Sequence, residues 1–342
     1  MITYPNVKIN LGLNVLRKRE DGFHDLDTLF VPYFEISDTL EIIAGDDYSR
    51  TSAALFAKYS ASDHAPQLAQ AVSEDGKVMI TIARAEGVDW NPLKDLTVKA
   101  YNVLAEDYAL PPVKIFLEKT SPVGAGLGGG SSDAAFALKM LNEMFLLGLD
   151  DQGLAGYASR LGSDCAFFIY NRPMLGQGRG EILTPYSLEG FGYGQEGAPD
   201  LPFTVKVVVP EGIAVSTAEA YRGIKPQIPQ IPLSEVLALP VDKWRDCLVN
   251  DFETTVFAVH PELAPSRIPS MKAGQSMPRC QAPAQPCSAY IATGKISLYR
   301  AASSHDRVLE PSGLTRMSTR RVSSGRSSSM FSGHSMMQRH PL

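Results

Sequence analysis

An α+β protein of two domains is what the sequence predicts, on three observations. Strand-like and helix-like periodicities alternate along residues 1–264, a pattern that builds mixed layers around a shared core. A glycine-rich loop joins one strand directly to one amphipathic helix. The chain then changes character near residue 265. Its 342 residues, 44% of them hydrophobic, suffice for one or two sizeable cores.

Val7 to Leu16 alternates apolar and polar side chains and reads as a half-buried strand, so Lys8, Asn10, Gly12 and Asn14 share a face. Taken alone, such a face is the solvent side. Arg19 to His24 has turn chemistry, and a second extended stretch covers Thr28 to Phe34. Residues 45–86 are polar and irregular, a place for strands and a surface insertion without functional residues. Leu96 to Tyr108 has apolar residues at helical spacing; Val113 to Leu117 reads as a strand; a helix is expected from about Ala134, and another over Asp151 to Leu161, stopped by Gly162. Ala166 to Tyr170 is an apolar run of strand length, which puts Asp164 on a tight loop between helix and strand. Phe203 to Val209 reads as a strand, and Ser216 with Glu219 has the capping-box spacing that opens a helix.

Bulk properties exclude several functions. No apolar run approaches the roughly 20 residues needed to span a bilayer. Met1 to Pro5 lacks a basic, apolar leader, so a cytoplasmic protein without membrane partners is expected. Cys165, Cys247, Cys280 and Cys287 have neither structural-zinc spacing nor the look of a disulfide framework. The first 265 residues carry a net charge of −14, which argues against nucleic acid as a partner, while residues 266–342 carry +9.

The strongest local signal is Gly124-Ala125-Gly126-Leu127-Gly128-Gly129-Gly130, followed by Ser131, Ser132 and Asp133 where a helix begins. Glycines let backbone amides approach a phosphate, and a helix N-terminus adds unpaired N–H groups and partial positive charge. Ser131 and Ser132 supply hydroxyls, one of which could reach a phosphate-bound Mg²⁺. No Gly-Lys-Ser/Thr follows, so this is not a Walker A loop, and Met140 to Asp150, where a dinucleotide fold would end its second strand on an acidic residue, still reads as helix and turn. A flexible linker would not run straight into an amphipathic helix.

Taken together, Pro5 to Leu11, Asp21-Gly22-Phe23-His24, Pro122 to Ala135 and Leu161-Gly162-Ser163-Asp164-Cys165 resemble the GHMP kinases. Within that superfamily they look like the kinases of 4-diphosphocytidyl-2-C-methyl-D-erythritol in non-mevalonate isoprenoid biosynthesis. The resemblance runs with gaps to about Ala264. It implies an N-terminal domain like domain 2 of ribosomal protein S5 over 1–170 and a C-terminal α/β domain over 171–265. It also implies Mg-ATP as phosphoryl donor, a small-molecule acceptor carrying cytidine diphosphate, and a monomer or homodimer. Asp164 would accept the proton of the substrate's 2-hydroxyl, and Lys8 would pair with Asp164 and stabilise charge on that oxygen. Pro122, Val123, Gly124, Ala125, Gly126, Leu127, Gly128, Gly129, Gly130, Ser131 and Ser132 would hold ATP. Asn10, Phe23 and His24 would hold substrate, the last two at the cytosine; the metal ligands are left open, with Ser132 one candidate. Two residues depart from the family's habit: Phe23 where tyrosine is common, and Ala166 where proline is. The runner-up readings are another GHMP kinase, acting on mevalonate or homoserine, and an ATP-binding protein with impaired catalysis.

Residues 266–342 do not belong to that pattern. Sixteen serines, 6 of the chain's 11 methionines and no sustained hydrophobic period predict disorder. The family would have a helix, a strand and a third glycine motif here. Reading each codon from the third base of one residue and the first two of the next turns Pro265 to Ile291 into Ile-Lys-Asp-Ser-Leu-Tyr-Glu-Gly-Gly-Ala-Val-Tyr-Ala-Ser-Met-Ser-Gly-Thr-Gly-Ser-Ala-Val-Phe-Gly-Leu-Tyr. Free synonymous choice sets only the first letter of each new codon. A helix, a strand and the missing Ser-Gly-Thr-Gly-Ser motif emerge all the same, so a frameshift near Pro265 is expected, whether by mutation or by an error in the gene sequence.

Overall fold

In the computed structural model of the chain, residues 1–45, 67–187, 203–208, 215–240, 247–261, 287–292 and 295–300 are described, with 48, 53, 243 and 244. Strand β1 (Ile2–Thr3) leads into β2 (Asn6–Lys18), which turns at Gly22 and returns as β3 (His24–Ser37) and β4 (Thr39–Ala44). After β5 (Gln67–Val72) and β6 (Val78–Arg84), helix α1 (Leu96–Ala105) carries the chain over to β7 (Val113–Glu118), which lies parallel to β6. A crossover helix is what two parallel neighbours require. The resulting five-stranded sheet has the order β1-β4-β7-β6-β5.

Three further helices, α2 (Gly129–Met144), α3 (Asp151–Leu161) and α4 (Cys165–Tyr170), bury the main core against this sheet. Ile42, Ile80, Val113 and Leu117 from the strands meet Tyr101, Leu104, Ala134, Leu138, Leu141, Phe167 and Phe168 from the helices. Asp95 caps α1 by accepting from the Thr97 amide, and Asp150 caps α3 by accepting from Gly153. The hairpin β8 (Met174–Gly178) and β9 (Ile182–Pro185) then returns to β3, completing a second sheet in the order β2-β3-β8-β9. This second sheet continues unbroken past residue 170.

Downstream lie β10 (Phe203–Val208), α5 (Thr217–Tyr221), α6 (Leu233–Leu237) and α7 (Phe252–Val259). As the spacing predicts, the Ser216 hydroxyl accepts from the Glu219 amide to open α5. Strands β11 (Cys287–Ala292) and β12 (Lys295–Arg300) form a three-stranded sheet with β10. Within 266–342 these are the described residues; Lys295-Ile-Ser-Leu-Tyr-Arg does alternate in strand fashion. The expectation of disorder for the remainder lies outside the described residues.

Three local expectations are corrected. Ala166 to Tyr170 belongs to helix α4 and not to a strand, so Asp164 stands between two helices. A short run that is apolar at every position has no period to distinguish the two. Helix α2 starts at Gly129 and not near Ala134, because its first turn lies inside the glycine run. The polar face of β2 is not the solvent side: Lys8, Asn10 and Asn14 are buried. A bulge at Gly12 (φ +70°) shifts the register between Leu11 and Leu13, and Leu13 thereby joins the cavity that Lys8 and Asn10 line.

Candidate active site

The glycine loop runs from the end of β7 to the start of α2 and is pinned to β2, where the Lys8 amide donates to the Leu127 carbonyl at 2.9 Å. Leu127 and Ala125 sink into a second core formed by Val7, Ile9, Leu11, Leu29 and Trp244. Gly128 is left-handed (φ +74°), and an added Cβ would come within 3.1 Å of Phe168 and 3.2 Å of the Lys8 side chain. At Gly129 a Cβ would lie 3.0 Å from Lys119 Nζ and closer still to Ser121 Oγ. Both positions need glycine because other groups already fill the space.

Those groups form a buried cluster. Lys119 Nζ donates to Asp38 Oδ2 and, at 2.6 Å, to Asp133 Oδ2. Asp38 also accepts from the amides of Thr120 and Ser121 and from the Ser121 hydroxyl, each at 2.7 Å. Burial raises the Asp38 carboxyl, but Lys119 and these donors outweigh it and hold it below its usual range. Asp133 is pushed well above, because its burial outweighs Lys119. Burial likewise lowers Lys119, and the charges of Asp133 and Asp38 overcome that to raise it. Asp133 Oδ1 and Ser132 Oγ are buried with no hydrogen-bond partner among the described residues.

On the other side of the loop, Lys8 Nζ lies 3.3 Å from Asp164 Oδ2, with side-chain exposures of 5% and 32%. Lys8 is aimed by a buried relay: Nζ donates to Asn10 Oδ1 at 2.8 Å, Asn10 Nδ2 to Thr28 Oγ1 at 2.9 Å, and the Thr28 hydroxyl to the Gly12 carbonyl at 2.6 Å. The Phe30 ring lies 4.7 Å from the ammonium. Asp164 is the residue preceding α4 and has no side-chain cap bond there. Its carboxylate is left to the cavity.

Two cavities share Gly124, Ala125, Gly126 and Ser131 as a common wall. The larger, about 560 Å³, runs from Lys8 and Asp164 past Arg179 to Leu26, Tyr221 and Phe252. The smaller, about 300 Å³, is lined by Trp90, Asp95, Leu96, Lys119 and Asp133. Asn250 and Phe252 reach the larger one because the Leu13 amide donates to the Val249 carbonyl and the Asp251 amide to the Leu13 carbonyl, extending the edge of β2. Among the described residues no cluster of three or more His, Cys, Asp or Glu side chains could hold a metal. None of the described helices is long and apolar enough to cross a membrane.

The structure brings together Lys8, Asn10, Asp164 and the loop. It leaves Phe23 52% exposed and off the cavity wall. His24 stacks on Tyr221, ring centroids 4.7 Å apart and planes within 16°. Ser131 faces both cavities, whereas Ser132 is fully buried and lines neither. Sequence reasoning gave no site role to Arg179, Tyr221, Asn250 and Phe252 on one side or to Trp90, Asp95, Lys119 and Asp133 on the other; the local signals were Asp133's place in the glycine motif and the capping box of the helix that ends at Tyr221.

Comparison with known proteins adds to this geometry. The family model for the GHMP kinases N terminal domain matches residues 95–172, the stretch holding α1, the loop, α2 and Asp164. The 4-diphosphocytidyl-2-C-methyl-D-erythritol kinase of Bacteroides fragilis is 41% identical over 261 residues, 76% of this chain and 81% of the relative. That of Porphyromonas gingivalis is 38% identical over 269 residues, 77% and 82% of the two chains. The chain belongs to the 4-diphosphocytidyl-2-C-methyl-D-erythritol kinase family. A crystal structure of a 4-(cytidine 5'-diphospho)-2C-methyl-D-erythritol kinase superposes with a TM-score of 0.54 at 27% identity, covering 78% of this chain and 81% of the other. In each pairing about a fifth of both partners stays unmatched.

Proposed function

We propose that this kinase transfers the γ-phosphoryl group of ATP to the 2-hydroxyl of 4-diphosphocytidyl-2-C-methyl-D-erythritol. The observation that carries the reading is the Lys8–Asp164 pair, with Asp164 32% exposed, in a cavity that the glycine loop also walls. Phosphoryl transfer needs positioning and charge stabilisation more than covalent help. Asp164 takes the proton of the attacking hydroxyl, and Lys8, aimed by Asn10 and Thr28, stabilises the oxygen as it loses that proton. Asn10 thus serves through Lys8 as well as by lining the cavity.

The amides of the loop and of the first turn of α2 cradle the phosphates of ATP. The smaller cavity suits its base, with Trp90 and Leu96 as apolar walls. When bound, Mg²⁺ neutralises charge on the phosphates. The serine suited to reach it is Ser131, which faces both cavities, in place of the buried Ser132. The cytidine end of the acceptor belongs at Tyr221, Phe252 and His24, with Phe23 at the rim.

About a fifth of each relative finds no counterpart in this chain, a share large enough to hold the helix, strand and third glycine motif that the frameshift reading restores. The test is ATP turnover by the chain with the cytidylated acceptor, with mevalonate and with homoserine, beside a version with its C-terminal frame restored. Transfer to the cytidylated acceptor alone is expected, and far more of it in the restored version. Transfer to mevalonate or homoserine in its place would sink the substrate assignment.

A further inference from the structure

The larger cavity must receive an acceptor whose two phosphates lie between a nucleoside and a sugar alcohol, a premise that rests on the function proposed above. Two oxyanions between an aromatic end and a carboxylate need a cation that is not already committed. Among the described residues lining the cavity, the cations are Lys8 and Arg179. Lys8 is taken up by Asp164 and Asn10. Arg179 is not engaged to that degree: the carboxylate of Glu181 stands 3.5 Å from its Nε, longer than the roughly 2.7–2.9 Å of a charge-assisted hydrogen bond. Its side chain is 44% exposed.

Arg179 is also held in place. It occupies the tight turn between β8 and β9, flanked by Gly178 (φ +66°) and Gly180 (φ +105°). The Gly180 amide closes the turn on the Gln177 carbonyl at 3.0 Å. A Cβ on Gly180 would meet Phe30 at 3.3 Å and Asp164 Oδ1 at 4.0 Å, so this turn lies beside Phe30 and Asp164. At its other end, the Arg179 guanidinium lies 4.8 Å from the centroid of the Phe23 ring. Arg179 therefore leaves a turn that lies beside Asp164 and carries its guanidinium to the cytidine rim, lining the cavity between them with a fork of N–H donors that matches phosphate oxygens.

We propose that Arg179 binds the diphosphate of the acceptor and so selects a nucleoside-diphosphate-linked alcohol over a bare one. Calorimetric titration of the full chain with cytidine and with cytidine 5'-diphosphate tests this in the unsubstituted protein, Arg179→Gln and Arg179→Lys. The unsubstituted chain is expected to bind the diphosphate more tightly, by a margin that shrinks as salt is raised. Arg179→Gln should weaken the diphosphate about 10- to 100-fold, the range of a lost charged hydrogen bond. Cytidine should bind as before, and Arg179→Lys should recover part of the loss. Equal weakening of both ligands would make Arg179 a prop for Phe23 and overturn the inference, as would no change in either. Failure of the unsubstituted chain to bind either ligand would overturn the substrate assignment itself, and the inference with it.

Discussion

Two lysines flank the glycine loop, and the fold uses them differently. Lys119 is sealed between Asp38 and Asp133, with side-chain exposures of 5%, 0% and 2%, and it meets the smaller cavity as part of its wall with its ammonium already bonded to both carboxylates. Lys8 is equally buried at 5%, but its partner Asp164 is 32% exposed and faces a cavity. The sealed cluster ties the ends of β3 and β7 to the first turns of α2, and it fixes where the loop amides point. The open pair leaves a carboxylate within reach of a ligand. Burying charge is costly unless every charge is matched, which suits the sealed cluster to architecture and the open one to the chemistry proposed for it.

The largest effect expected from breaking this contrast is on stability. Lys119→Met leaves Asp38 and Asp133 buried without their cation, and loss of one partner of a buried ion pair costs about 3–5 kcal/mol. Chemical denaturation should show it, with turnover and nucleotide binding lost together. An unfolding midpoint that stays put would mean the cluster is not what holds the loop.

Next in size is Gly129→Ala. Its methyl would press on Ser121 and Lys119, and overpacking of this kind costs about 1–3 kcal/mol. ATP affinity should fall more steeply than acceptor affinity, because the shift opens on the side of the smaller cavity. Equal losses for both ligands would blur the division of labour between the two sides.

The smallest effect concerns pH. Asp133 is held above its ordinary value of 3.8, chiefly by burial. The fold therefore favours its protonated form, and that contribution to stability is present at low pH and lost as pH rises through the folded value. Asp38 has the opposite sign: held below 3.8 in the fold, it contributes stability above that value and loses it on acidification. Asp133→Asn should flatten the decline that sets in as pH rises above 3.8 and leave the acid limb in place. An unchanged slope above 3.8 in stability measured against pH would contradict this.

The open pair was more legible in the sequence than the sealed one. Lys8 stood out on an alternating strand near Asn10, and Asp164 in a short motif two residues after a glycine. Their meeting could be expected only through family resemblance. Lys119 stood just past a strand with no signal of its own, and its partners lie 81 and 14 residues away, beyond any local period. The polar face of β2 misled for the same reason, since the loop that covers it comes more than a hundred residues later. Arg179 sits in a hairpin turn, where a charged residue between glycines is ordinary. The elements with a clear period, β2, β3, α1, β7 and α3, were all readable; α4 was not, because its residues are apolar throughout.

The most direct test of where the chemistry resides is Asp164→Asn, assayed for phosphoryl transfer to 4-diphosphocytidyl-2-C-methyl-D-erythritol in the chain as it stands and with its frame restored, with thermal unfolding followed alongside. Loss of a positioned general base should lower turnover by about 10²–10⁴-fold, while the unfolding midpoint and ATP affinity stay near those of the unsubstituted chain. Turnover that survives the substitution would place the proton acceptor elsewhere and contradict the separation of a chemical pair from an architectural one.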